Sequence, residues 1–141
     1  MGDTDFKWRD ALKFIEKKLT EYEIQRRTPK LLFVDDDEAD WIIFKRQTDG
    51  FVCEVEWCHD PEKAMQLIKS GRYDFVFVDE RMPKLAGLEI IKASLPHPVS
   101  KFISITGFRN PEVADRALKF GALFAPKDSL SETLEIFLRH K

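Results

Sequence analysis

From residue 29 onward, short apolar runs alternate with stretches of helical pattern, and this alternation limits the possible folds most strongly. The runs are three to seven residues long, and all but the last have the length expected for strands. The runs are Leu31–Val34, Phe51–Trp57, Tyr73–Val78, Phe102–Thr106 and Leu123–Ala125. Alternating strands and helices are typical of a parallel sheet covered by helices on both faces. The sequence therefore predicts an α/β fold, a (βα)5 doubly wound parallel sheet.

Capping and stop signals divide the chain at matching places. Asp60–Pro61 and Asn110–Pro111 each offer a helix N-cap followed by proline at the first helical position. Gly71 and Gly121 stand where two helices should end. Ser129–Glu132 has the spacing of a capping box and predicts the start of a last helix.

The polar residues at the strand ends suggest a common site. Asp35–Asp36 follows the first run, Asp79 the third, Thr106 ends the fourth and Lys127 follows the fifth after a proline. In an open parallel sheet, ligands bind at the carboxyl ends of the strands. These acids, the hydroxyl and the ammonium should therefore meet at one edge of the sheet.

This set of residue types suits a divalent metal and a phosphoryl group. Clustered carboxylates repel one another unless a cation lies among them, and Mg²⁺ prefers oxygen ligands. Thr106 and Lys127 supply a donor and a positive charge for phosphoryl oxygens. Asp79 is the best candidate nucleophile, since a carboxylate can carry a phosphoryl group covalently. Taken singly, each residue also suits a solvated turn, a strand end or a surface position; their joint placement favours a site.

Residues 1–28 stand outside the repeat and are predicted to form an N-terminal amphipathic helix. Its apolar residues are spaced four, three, four and three apart, which is a short heptad pattern. They are Trp8, Leu12, Ile15, Leu19 and Tyr22. Two interpretations remain open: the helix packs on its own domain, or it pairs with another chain, as in a homodimer.

Charge and hydropathy exclude several classes of protein. The net charge of −2 gives no basic nucleic-acid footprint, and the apolar runs are too short to span a membrane. No signal peptide pattern begins the chain. Cys53 and Cys58 are interpreted as free thiols, with a disulfide as the lesser alternative. We expect a cytoplasmic protein that binds neither nucleic acid nor membrane.

The strand-end residues resemble a known family, the receiver domains of two-component response regulators. Asp35–Asp36 resembles the family's metal-binding acid pair. The segment Val78–Pro83 followed by Gly87 is similar to its phosphoacceptor motif. Thr106 and Lys127 match its hydroxyl residue and its lysine. The resemblance assigns residues 29–141 to one receiver domain.

The resemblance implies a flavodoxin-like fold with strand order 2-1-3-4-5. It implies that Mg²⁺ (or Mn²⁺) is held by Asp35, Asp36, Asp79 and the main-chain carbonyl of Arg81. A sensor histidine kinase or a phosphotransfer protein would donate phosphate to Asp79, and a downstream target protein would read the result. Such a domain catalyses only its own phosphorylation and dephosphorylation and is not otherwise an enzyme.

The resemblance also implies a conformational switch. After phosphorylation, Thr106 would move toward the phosphoryl group and the ring of Phe124, three residues before Lys127, would turn inward. The simpler alternative is that Phe124 is a fixed core residue.

Three residues depart from the common pattern of the family. Asp128 follows the lysine where proline is usual, so we expect no cis Lys–Pro loop. Gly107 follows Thr106, which leaves the phosphoryl site open to a donor or to water. Arg81 is larger than usual, and two interpretations remain open: its guanidinium shields the phosphoryl group and slows autodephosphorylation, or it is a solvated surface arginine.

Two other functions compete with a stand-alone receiver that signals by protein contacts. One is a receiver-like module that binds its partner without phosphorylation. The other is a phosphatase of the haloacid dehalogenase type, for which Asp35 and Asp37 would serve as the acid pair. The order of the motifs disfavours the phosphatase, because its final acidic motif should follow the lysine and Asp79 precedes Thr106.

Overall fold

A computed structural model describes residues 28–82, 85–95, 101–106 and 110–141. The strands are β1 (Lys30–Val34), β2 (Glu54–Cys58), β3 (Phe75–Asp79), β4 (Lys101–Thr106) and β5 (Ala122–Pro126). The helices are α1 (Glu38–Thr48), α2 (Pro61–Lys69), α3 (Gly87–Ala93), α4 (Pro111–Lys119) and α5 (Leu130–Phe137), the last preceded by a 3₁₀ turn at Lys127–Ser129. The N-terminal helix and Gly107, both singled out from the sequence, lie outside the described residues.

The five strands form one parallel sheet in the order β2-β1-β3-β4-β5, so the predicted fold and strand order are confirmed. Every residue of β3 is buried, as its central place and continuous apolar sequence require. The register aligns Val34 of β1 with Val78 of β3. The next residues, Asp35 after β1 and Asp79 at the end of β3, therefore lie side by side at the carboxyl edge of the sheet.

Apolar side chains cover both faces of the sheet. On one face, Phe33 and Phe77 pack against Phe44 of α1, and the rings of Phe33 and Phe44 stack with centroids 4.3 Å apart. On the other face, Val34 and Val76 belong to a cluster with residues of α2 and α3. The two cores fix the strands that carry the polar residues at the carboxyl edge.

Two strands begin later than the sequence indicated: β3 begins at Phe75 rather than Tyr73, and β2 shows the larger shift. The apolar run at 51–57 predicted a strand from Phe51, but β2 begins at Glu54. Phe51 instead forms an antiparallel bridge with His140, and the Val52 N–H donates to the Arg139 carbonyl at 2.8 Å. This pairing with the distant C-terminal segment removes Phe51 from the parallel sheet.

Most of the predicted helix signals act as expected. Asp60 and Asn110 accept hydrogen bonds from main-chain N–H groups of their helices. Gly71 and Gly121 adopt φ of 73° and 78°, a conformation that favours glycine. The predicted capping box at Ser129 was wrong, because the Ser129 side chain makes no capping hydrogen bond. The 3₁₀ turn runs directly into α5, and Ser129 lacks the extended cap conformation.

Two expectations from composition can be compared with the fold. No helix in the described ranges has both the length and the apolar character needed to cross a bilayer. Cys53 and Cys58 are free thiols, with Cys58 buried and Cys53 half-buried.

Candidate functional site

The carboxyl edge of the sheet brings the predicted acids together. Asp35 and Asp36 follow β1, and Asp79 is the last residue of β3. One carboxylate oxygen from each of the three lies within 4.8 Å of the others. Two further residues, Asp40 and Lys127, lie next to these acids and form an ion pair. We call the five residues together the acid pocket.

Asp35 is the most buried member of the acid pocket. Its side chain is fully buried, and its Oδ1 accepts a hydrogen bond from the Asp37 N–H at 2.9 Å. Its main-chain carbonyl accepts a hydrogen bond from the Trp57 indole Nε1 at 2.8 Å. These bonds fix the turn after β1 and leave Asp35 Oδ2 directed toward Lys127, 3.4 Å away. Asp36, by contrast, is exposed.

Asp79 presents to the acid pocket an oxygen that makes no hydrogen bond. The residue is buried, and its Oδ1 has no hydrogen-bond partner among the residues that the structure describes. The Arg81 main-chain N–H donates to the same carboxylate. A buried polar atom that makes no hydrogen bond is costly in a folded protein, and the Lys127 ammonium 3.4 Å away is shared with other carboxylates, so Asp79 Oδ1 is suited to a ligand.

Gly87 allows α3 to begin directly against the end of β3. A Cβ atom at Gly87 would lie 2.4 Å from the Asp79 carbonyl oxygen. The Gly87 N–H donates to the Glu80 carbonyl at 3.2 Å, and the Leu88 N–H donates to Glu80 Oε1 at 2.8 Å. The glycine of the predicted phosphoacceptor motif thus has a steric role: it lets the start of α3 approach the end of β3 closely.

Lys127 reaches into the acid pocket from the 3₁₀ turn after β5. Its Nζ lies 2.7 Å from Asp40 Oδ2, 3.4 Å from Asp35 Oδ2 and 3.4 Å from Asp79 Oδ1. The unusual proline before the lysine and the absence of one after it therefore do not keep the ammonium from the site.

The pKa values of these groups reflect burial and crowding of like charges. Burial raises the pKa of Asp35 to about 7, and the negative charge of Asp79 adds to the effect against the hydrogen bond from Asp37. Burial also raises the pKa of Asp79, although Lys127 opposes the shift. Burial alone would lower the pKa of Lys127, but the hydrogen bond to Asp40 and the charges of Asp79 and Asp35 raise it.

The acid pocket fits a hard divalent cation. Asp35, Asp36 and Asp79 offer converging oxygen donors of the kind that Mg²⁺ prefers. Burial disfavours the charged forms of Asp35 and Asp79, and Asp79 Oδ1 makes no hydrogen bond among the described residues while it shares the Lys127 ammonium, 3.4 Å away, with Asp35 and Asp40. A cation among these oxygens would relieve both costs.

The remaining predicted site residues are placed as follows. Thr106 ends β4 and pairs in register with Pro126, at the same edge as Asp79. Phe124 lies inside β5, two positions before Pro126, and is 4% exposed. Arg81 is exposed just beyond β3. The buried position of Phe124 is compatible with both the switch and the fixed-core interpretation.

Two residues of the site were missed in the sequence. They are Asp40, which binds Lys127 Nζ, and Trp57, which donates to the Asp35 carbonyl. The available signal for Asp40 was its position in the first turn of α1, since helical side chains point back toward the N-terminus and hence toward the strand ends. No sequence signal indicated the hydrogen bond between Trp57 and the Asp35 carbonyl.

A family model described as the response regulator receiver domain matches residues 31–134. The chain belongs to this family. Receiver domains are signalling domains of two-component systems; they bind Mg²⁺ at an acidic pocket and interact with histidine kinases or phosphotransfer proteins. The acid cluster of Asp35, Asp36 and Asp79 agrees with that description.

Individual relatives agree with the family match. The chain is 29% identical over 116 residues to the transcriptional regulatory protein ZraR of Escherichia coli, an alignment that covers 78% of this chain and 26% of ZraR. The chain spans between 7% and 28% of the length of the curated relatives that it matches.

Solved receiver structures share the fold. A receiver domain from Methylobacillus flagellatus superimposes with a TM-score of 0.67 at 24% identity, covering 77% of this chain and 94% of that one. The receiver domain of the histidine kinase CKI1 from Arabidopsis thaliana, solved with Mg²⁺ and BeF₃⁻, superimposes with a TM-score of 0.62 at 23% identity. It covers 78% of this chain and 90% of the CKI1 chain.

Proposed function

We propose that this receiver accepts a phosphoryl group from the histidine of a kinase or phosphotransfer protein on Asp79. The observation that carries the proposal is the convergence of three carboxylates with Lys127, whose Nζ is 3.4 Å from the buried Asp79 Oδ1. Attack by an Asp79 oxygen on phosphorus forms the P–O bond while the P–N bond to the donor histidine breaks. The donor imidazole keeps the electron pair of that bond.

The residues of the acid pocket would divide the negative charge of the transferred group. Asp35, Asp36, Asp79 and the Arg81 main-chain carbonyl would hold Mg²⁺ or Mn²⁺, which supplies electrostatic stabilisation to the phosphoryl oxygens. Lys127 neutralises charge from the other side, within 3.4 Å of Asp79 Oδ1. Thr106, at the end of the adjacent strand β4, would donate a hydrogen bond to the transferred group.

Arg81 and Gly107 would set the lifetime of the phosphorylated form. Arg81 is exposed two residues after Asp79, where its guanidinium can cover a phosphoryl group against water. Gly107 follows the hydroxyl residue and would leave the opposite side open to the donor. Replacement of Arg81 by alanine should therefore shorten the phosphoryl half-life measured after the donor is removed.

The output would be phosphorylation-dependent contact with a target protein. Phe124 lies in β5 beside β4, so a ring movement coupled to Thr106 would alter the surface built from α4, β5 and α5. This surface, or the N-terminal segment acting in a homodimer, would present the change. We propose that the receiver acts as a stand-alone protein in the cytoplasm.

The test is intact mass after incubation with acetyl phosphate and Mg²⁺. The wild-type chain should gain one phosphoryl mass, and the gain should disappear in EDTA and in Asp79→Asn. Asp128→Asn removes an exposed carboxylate next to Lys127 and should label like the wild type. If the wild type fails to label beside a receiver that does, the chain is a binding module that works without phosphorylation.

A further inference from the structure

Lys127 is held most closely by a residue outside the predicted metal and phosphoryl site. Its Nζ is 2.7 Å from Asp40 Oδ2 but 3.4 Å from the nearest oxygens of Asp35 and Asp79. The shorter distance is that of a strong charge-assisted hydrogen bond, whereas the contact with Asp79 is an ion pair without one. The ammonium is thus partly withdrawn from the phosphoacceptor.

Asp40 is well placed to compete for the ammonium. It lies in the first turn of α1, which begins directly after the acid turn, and its side chain is 31% exposed. A half-exposed carboxylate remains hydrated when its partner leaves, so the pair can open at low cost. Asp35 and Asp79 are almost completely buried and cannot release a cation in the same way.

We propose that Asp40 is a positioning residue that competes with the phosphoryl group for Lys127. When a phosphoryl group occupies Asp79, the ammonium must give up its 2.7 Å bond to Asp40 before it can bind the new oxygens closely. The negative charge of Asp40 also repels the incoming group. Asp40 therefore weakens phosphoryl binding and favours the unphosphorylated state; this inference rests on the proposed function.

The test measures affinity for a phosphoryl analogue rather than phosphoryl transfer. Beryllium fluoride is added to the protein in saturating Mg²⁺, and binding is followed by tryptophan fluorescence. Trp57 is a suitable reporter because its indole bonds to the Asp35 carbonyl and stacks on Trp41 with ring centroids 5.8 Å apart. We expect Asp40→Asn to bind beryllium fluoride about two- to fivefold more tightly than the wild type.

Two further variants separate this effect from general changes in charge or packing. Glu38→Gln removes one negative charge from the same turn of α1, at an exposed position, and should leave the affinity unchanged. Asp40→Glu keeps the competing carboxylate and should return the affinity toward the wild-type value. A merely structural role for Asp40 would not produce tighter binding on its removal.

The outcomes are distinct. Weaker binding in Asp40→Asn would show that Asp40 presents Lys127 to the phosphoryl group, which overturns the proposal. Equal binding in Asp40→Asn and the wild type would show that the ion pair between Asp40 and Lys127 does not affect phosphoryl binding, which would also overturn the proposal. If the wild type does not bind beryllium fluoride, or Asp79→Asn binds it equally well, the proposed function itself fails and the inference fails with it.

Discussion

Two clusters of charged residues, the acid pocket and a second cluster around Glu56 of β2, differ in how well their own side chains balance the charge of their carboxylates. In the acid pocket, the single ammonium of Lys127 forms ion pairs with three carboxylates, those of Asp35, Asp40 and Asp79. In the second cluster, the Glu56 carboxylate accepts a hydrogen bond from the Tyr73 hydroxyl. Its oxygens lie 3.5 Å from Lys30 Nζ and 4.0 Å from a guanidinium nitrogen of Arg72. We call these four residues the Glu56 cluster.

The two clusters also differ in the direction of their pKa shifts. The hydrogen bond from Tyr73 and the nearby Lys30 and Arg72 lower the pKa of Glu56, so folding favours its charged form. Burial raises the pKa of Asp35 to about 7, so folding disfavours its charged form. The Glu56 cluster contributes to stability as it stands, whereas the acid pocket lowers stability until a ligand supplies positive charge.

The largest expected effect comes from disturbing the backbone beneath the acid pocket. Gly87→Ala would place a methyl group 2.4 Å from the Asp79 carbonyl oxygen and force β3 and α3 apart. We expect the free energy of unfolding to fall by about 2–3 kcal/mol and labelling by acetyl phosphate to slow. Denaturant unfolding and intact mass measure the two effects.

Gly50→Ala is the matched control for this substitution. A Cβ atom at Gly50 meets no atom within 4 Å, so the same change should alter the free energy of unfolding little. Equal losses in the two variants would mean that the close approach at Gly87 has no special role.

The second effect is a gain of stability from removing a charge. In EDTA at pH 8, Asp35→Asn should raise the free energy of unfolding by about 1–2 kcal/mol, because a buried ionised carboxylate is replaced by a neutral amide. The amide oxygen can still accept the hydrogen bond from the Asp37 N–H. A loss of stability in this variant would show that Asp35 is already well satisfied by Lys127.

The smallest effect should have the opposite sign. Glu56→Gln should lower the free energy of unfolding by about 0.5 kcal/mol at pH 7, a modest value because Glu56 is solvent-screened. A lowered folded pKa contributes stability above the ordinary value of 4.5, and this contribution is lost as the pH falls through the folded pKa. Urea unfolding at pH 7 and pH 3 should therefore show a larger difference between wild type and variant at pH 7 than at pH 3.

The sequence was sufficient for the fold because its strand and helix signals agree with one another. The apolar runs and the Asp60 and Asn110 caps recover five strands and five helices in order. The start of β2 was missed because Phe51 pairs with His140, a contact between residues far apart in the chain. Ser129 was misjudged because local spacing does not reveal that a 3₁₀ turn continues into the helix.

The site was predictable in its strand-end members and not in its supporting ones. The topology of a parallel sheet brings Asp35, Asp79 and Lys127 to one edge without further information. The 2.7 Å bond between Asp40 and Lys127 depends on how α1 leaves β1, and the steric role of Gly87 depends on how closely α3 approaches β3. Such distances follow from packing rather than from residue order.

The most direct test of the contrast between the clusters is the free energy of unfolding as a function of Mg²⁺ concentration. The wild type and Glu56→Gln should be stabilised in parallel, by about 1.4 kcal/mol for each tenfold increase above the dissociation constant, since Mg²⁺ binds only the folded acid pocket. Asp35→Asn should begin more stable and respond little. If Mg²⁺ stabilises Asp35→Asn as strongly as the wild type, or stabilises neither, the account is contradicted. The acid pocket would then not be the cluster whose buried carboxylates need a bound cation.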